Sequence, residues 1–396
     1  MLRSGELDVP YRPFGIFRTF LAFLVLLQHI GHVGPADMTL GSYATGSIAV
    51  LVFFTLSGFV ITEAADRFYH GRPWAFLANR AIRILPQYLA AIIASSAIIS
   101  FVCLSAHDPL PSKLIPYTCS ALLSPLNIVQ NILMIFPGVG KNAPPLIPYV
   151  WALRVEVLFY LLLSICLIVK IHEKKLYGPL LTLVPLAIFA LSLIQLAPYS
   201  FQYTPYFLLG VLSYLTVSKR AVGAPWLLPT VFAICLWTCI THSMPDFIPT
   251  YRVTSQEGAL GIVLYCFLNG AFLLLINCKI SLRWRKIDSA IGELSFPLYL
   301  QQYAALVFVA AVLPRSYVAV IAAGILACVF ATLAALAVER PIRSLRDRVR
   351  GSRIHLAAHR PDAVQPRPDA AQIDTMQLLT GGLPSSTPSP QARTMS

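Results

Sequence analysis

Apolar runs, each near the ~20 residues that a helix needs to cross a bilayer, alternate along the chain with short joints rich in charge, Pro and Gly. The pattern predicts spans at 14–34, 45–65, 84–104, 150–169, 179–197, 203–218, 226–242, 258–277, 291–313 and 317–337. The sixth and seventh are the shortest, and Pro205 and Pro229 interrupt them. This is an all-α, polytopic membrane protein of about ten transmembrane helices. No period of 20–50 residues repeats.

Charge orients the chain. Cytoplasmic loops carry an excess of Lys and Arg. When the spans alternate from a cytoplasmic N-terminus, nearly all of the 30 Lys and Arg fall on the side shared by both ends. The exceptions are Lys113, Lys141, Arg252, Arg315 and the intramembrane Arg154. Both termini are therefore expected in the cytoplasm. Residues 1–13 read as an N-terminal segment and 14–345 as the membrane domain. Residues 346–396 read as a disordered cytoplasmic tail, because Pro, Ser, Thr, Gln and Ala dominate from about Gly351.

Composition agrees. The chain of 396 residues is 57% hydrophobic and only 12% charged, about half the charge of a soluble domain. The net charge of +13 would suggest nucleic acid in a soluble protein, but here it sits between apolar runs, so no nucleic-acid partner is expected. The eight Cys show no C-x-x-C pair and no zinc spacing, and no metal site is expected. Only Cys103 and Cys119 fall near the outer face, where an oxidising compartment permits a bridge.

Ionisable residues within spans mark candidate sites, since each costs at least about 2.5–3.5 kcal/mol there. Arg18 and His29 share the first span, eleven positions apart, which places them about 20° off a common face and about 16 Å apart along the axis. The competing structural reading has Arg18 snorkelling to headgroups and His29 as a core histidine. His32 follows one turn later and ranks below His29. In the fourth span Arg154 and Glu156 point about 200° apart and cannot pair within one helix. Glu156 is expected to turn toward His29 at similar depth, orienting the ring and stabilising its imidazolium, and Arg154 to reach outward. The joint after the second span carries Arg67, His70, Arg72, Arg80 and Arg83. Arg80 and Arg83, three apart, set two guanidinium forks on one helix face, a geometry suited to phosphate.

An ordered set of features resembles integral-membrane acyltransferase family 3, which includes sugar O-acetyltransferases of lipopolysaccharide, exopolysaccharide and Nod factors, and macrolide acylases. They are Arg18 and His29; Phe53-Phe54-Thr-Leu-Ser-Gly58-Phe59; Arg80-x-x-Arg83 before Ile84-Leu-Pro86-x-Tyr88; Trp151 to Tyr160; Ser295-Phe-Pro-Leu-Tyr299-Leu; and Glu339-Arg-Pro341. The resemblance implies a multi-pass enzyme of the bacterial inner membrane with no tightly bound cofactor. It would move an acyl group, usually acetyl, from cytoplasmic acyl-CoA as co-substrate to a hydroxyl of a glycan or glycolipid acceptor. Arg80 and Arg83 match residues thought to contact the donor, Arg18 is expected to join them on its phosphates, and Arg18 and His29 match the pair essential to activity. Two departures stand out. Gln301-Gln302 occupies the place where many members carry a histidine, and Arg154 and Val157 flank Glu156 where many carry Ser and a carboxylate or Gln. Acyl transfer needs a base for the hydroxyl, a role that an imidazole fills. The alternative is a secondary transporter or a flippase of lipid-linked glycans, which would also place a few charges within its spans.

Overall fold

The computed structural model describes residues 11–35, 38, 45–105, 116–140, 142–169, 177–219, 223–241 and 255–351. They belong to the first of two units, Met1–Leu356. The second, Ala357–Ser396, lies outside the described residues, as do the expected tail from 352 onward, the N-terminal segment through residue 10 and residues 106–115 of the outer segment.

Each predicted span coincides with a helix, and no strand occurs among the described residues. The helices are α1 (Phe14–Ile30), α2 (Thr45–Phe68), α3 (Pro73–Ser105), α4 (Cys119–Leu123), α5 (Pro125–Leu133), α6 (Val150–Ile168) and α7 (Tyr177–Leu193). They continue with α8 (Thr204–Val217), α9 (Ala224–Thr241), α10 (Ser255–Ile276), α11 (Leu282–Gly292), α12 (Ser295–Val312), α13 (Tyr317–Ala334) and α14 (Arg340–Arg350). Seven helices among the described residues are long and apolar enough to cross a membrane. The other three expected spans, α7, α8 and α9, have 17, 14 and 18 residues. At 1.5 Å per residue α8 reaches only about 21 Å, and it is buried along nearly its whole length against its neighbours.

The third span corrects the prediction. Its helix begins at Pro73, well before residue 84, so the joint after α2 shrinks to residues 69–72 and the arginine pair belongs to the helix of the third span itself. Hydropathy marks only the part of a helix that prefers lipid, whereas proline at a first helical position favours starting one. At about 50 Å, α3 outreaches the ~30 Å hydrocarbon core and carries its basic turns beyond it. The last helix corrects the tail boundary drawn at 346. A π-helical turn, Ala335–Glu339, links α13 to α14, which runs to Arg350 and ends at Gly351 in the left-handed conformation.

Two close approaches fix the site's walls. Gly58 of α2 lies against the Phe207 backbone of α8, and a Cβ on Gly210 of α8 would overlap the Thr55 carbonyl oxygen of α2. Small residues let helix backbones meet this way. Gly210→Ala is expected to cost about 1–3 kcal/mol by overpacking, read as a lower thermal midpoint in detergent. At the other contact, α1 has no cap of its own. Asp288 of α11 caps it from outside, accepting from Gly15 N at 3.0 Å, Ile16 N at 2.8 Å and the Tyr11 hydroxyl at 2.7 Å. A carboxylate at a helix N-terminus also complements the helix dipole. Burial, and then the hydrogen bond to Asp288, push the Tyr11 phenol well above its ordinary range.

The pair singled out near the outer face is joined, with the Cys103–Cys119 disulfide tying the end of α3 to the start of α4. Helix α5 buries its polar side. Asn127 donates to Leu122 O and Pro144 O, and Asn131 accepts from Leu146 N, while Leu126, Val129, Ile132 and Leu133 are exposed.

Candidate active site

A cavity of about 740 Å³, counting the space at its open mouth, lies among α1, α2, α3, α6 and α12. Arg18, Arg80 and Arg83 enter it with Glu156, Ser57 and Tyr160, and Phe53, Phe54 and Phe296 supply aromatic wall. The sequence-predicted donor residues thus converge from two helices. Arg80 is the most enclosed, with 7% of its surface exposed. Its guanidinium carbon lies 5.3 Å from the Phe76 ring centroid and 5.7 Å from that of Tyr160, and its Nε has no hydrogen-bond partner. Arg18 donates through Nε to Phe14 O of its own helix at 3.3 Å.

The surrounding basic residues behave differently. Arg12 and Arg67 pair with Glu63, Arg340 and Arg343 with Glu293, Arg346 with Glu339, and Arg350 with Asp347. Among the described residues no carboxylate lies within ion-pair distance of Arg18, Arg80 or Arg83. The cavity therefore holds three guanidiniums against one carboxylate. An excess of buried positive charge costs stability unless an anion offsets it.

Glu156 is that carboxylate, and its placement corrects the expected pairing with His29. Its Oε1 accepts from Tyr160 OH at 2.5 Å and Ser57 Oγ at 3.3 Å, on the side of the helix that faces the arginines. Sequence fixes a residue's depth along a helix better than its azimuth relative to distant helices. Arg154 does turn away, donating to Met134 O and Val139 O in the outer segment.

His29 is not among the residues that line the cavity. Its Nδ1 meets Gln302 Oε1 at 3.4 Å, and its ring lies 4.1 Å from that of Tyr149 and 6.4 Å from that of His32. Tyr299 links the two regions. Its side chain lines the cavity, its hydroxyl donates to Tyr149 O at 2.8 Å, and its carbonyl accepts from Gln302 Nε2 at 2.9 Å. One tyrosine layer thus separates Arg18 in the cavity from His29. Sequence reasoning assigned no task to Gln302, Ser57 or Tyr160. For Gln302 a signal existed, since an amide inside a span needs a partner.

A family model described as an acyltransferase domain, that of acyltransferase family 3, matches residues 14–340. No curated protein and no solved structure matches the chain.

Proposed function

The chain belongs to acyltransferase family 3 and is a multi-pass membrane acyltransferase, and from that premise we propose that it transfers an acetyl group from acetyl-CoA to a hydroxyl of a cell-surface or exported glycan. The observation that carries the donor half is Arg80, a buried guanidinium with an unpartnered Nε in a cavity that also holds Arg18 and Arg83. Guanidinium forks match phosphate oxygens, and CoA brings several of these on a long, thin arm. The basic turns of α3 point to the cytoplasm by the positive-inside rule, where acyl-CoA is made. A bacterial inner membrane is the setting this implies.

In the proposed reaction His29 takes the proton of the acceptor hydroxyl through Nε2. The oxygen attacks the thioester carbonyl carbon, the C–S bond breaks, and the thiolate leaves to receive a proton as free CoA. The pantetheine arm reaches His29 by passing Tyr299 and Tyr149, the layer at the cavity's end. The acceptor arrives from the opposite side, which the α4–α5 segment borders.

Purified protein incubated with radiolabelled acetyl-CoA and candidate polysaccharides is expected to move label onto the glycan. If label stays on CoA, with neither transfer nor hydrolysis, while vesicles bearing the protein translocate a lipid-linked glycan, the flippase alternative replaces this reading.

A further inference from the structure

His29 has no carboxylate partner among its described contacts. What it meets, besides the Val25 backbone of its own helix, is an amide with one possible orientation. Gln302 has 0% exposure, so both ends of its amide need protein partners. Amide ends are assigned from their hydrogen bonds, and here the assignment is forced. The Tyr299 carbonyl can only accept, so Nε2 faces it at 2.9 Å, and Oε1 is left facing His29 Nδ1. Reversing the amide would set two acceptors together at Tyr299, at a side chain with no exposure to solvent. An acceptor oxygen at Nδ1 requires that nitrogen to carry the proton.

We propose that Gln302 is a positioning residue that holds His29 in the Nδ1-protonated tautomer, leaving Nε2 unprotonated and free to accept the proton of the acyl acceptor. The proposal rests on the O-acyltransferase reading above and adds the group that prepares its base. A neutral amide differs in kind from the aspartate of serine-protease triads, because it fixes the tautomer without adding negative charge that favours the imidazolium. The base thus stays neutral and ready. Tyr149 closes the other side of the ring, and Tyr299, which locks the amide, also anchors Tyr149 through its hydroxyl. Two bonds from one tyrosine align both neighbours of the imidazole.

Among the described residues the titratable groups around His29 are His32 from its own segment, Tyr149 ahead of α6, and Tyr299 and Tyr303 on α12, whose rings lie 6.2 and 6.0 Å from that of Tyr149. No acid is among them. Gln302→Glu would introduce one, and a carboxylate within about 4 Å favours the imidazolium. Transfer by Gln302→Glu is expected to persist within about tenfold of wild type, with the acidic limb of its pH–rate profile moved about one unit upward. Gln302→Leu is expected to lose about 10²-fold in kcat with the KM for acetyl-CoA unchanged, because the arginines lie elsewhere. A merely structural role would not move the pH limb.

A second measurement needs no activity. In ¹⁵N-histidine-labelled protein in lipid, the signal absent from His29→Gln identifies this residue, and it is expected to report Nδ1 protonated and Nε2 bare at neutral pH. Nε2-protonated His29 in the wild type, or wild-type kcat and pH profile in Gln302→Leu, overturns the proposal. Should the wild type transfer nothing, the acyltransfer reading fails, and the nitrogen spectrum still decides the tautomer. If Gln302→Leu does not fold, the Gln302→Glu profile and the wild-type spectrum decide.

Discussion

His29→Ala is expected to lower acyl transfer by at least about 10³-fold at unchanged protein abundance and unchanged affinity for acetyl-CoA. A positioned base contributes about 10²–10⁴-fold, and no second imidazole replaces it where Gln301 and Gln302 stand on α12. Under the proposed reaction binding and chemistry separate, because His29 is not among the residues that line the cavity of the three arginines. Single-turnover transfer with labelled donor, alongside calorimetric titration of CoA, reads the two effects independently. Turnover retained in His29→Ala would remove the assignment of the base. A parallel loss of CoA affinity would instead mean that the variant disturbs the cavity.

The second large effect has opposite signs on function and stability. Arg80→Met keeps an unbranched chain against Phe76 and Tyr160 but removes a buried cation that has no ion-pair partner among the described residues. Charge-assisted hydrogen bonds contribute about 1.5–3 kcal/mol each, so the KM for acetyl-CoA is expected to rise about 10–100-fold. In the absence of donor the thermal midpoint is expected to rise, because the desolvation cost of an uncompensated charge is gone. Added CoA should raise the midpoint of the wild type and leave that of Arg80→Met nearly still. A lower midpoint with an unchanged KM would show that Arg80 is a structural residue. Natural sites hold such trade-offs where binding needs a group that folding alone would not keep.

Much of the architecture is legible in the chain because a bilayer imposes a one-dimensional demand. Every segment that crosses must be apolar for about 20 residues, and basic residues gather on one side. The Arg80–Arg83 pair is legible for a similarly local reason, since residues three apart share a helix face. The start of α3 at Pro73 is not, because hydropathy registers where lipid begins and says little about where a helix does. Relations between distant segments are the other loss. Gln302 lies 273 positions from His29, and Asp288 caps α1 from 273 positions beyond Gly15. Glu156 illustrates the same limit: the direction it faces depends on how α6 is rotated against α2 and α3, which no single helix encodes.

The tyrosine layer has a consequence for the cell as a whole. A catalyst with a substrate on each side of an energised membrane must not become a hole in it, since a continuous wet passage would let protons run down their gradient. Under the proposed reaction, Tyr299 in the cavity wall and Tyr149, bonded to it beside His29, would narrow that passage to the width of the pantetheine arm and limit its wetting. Trimming either to alanine would be felt first as a leak, visible as faster collapse of a pH difference across sealed proteoliposomes.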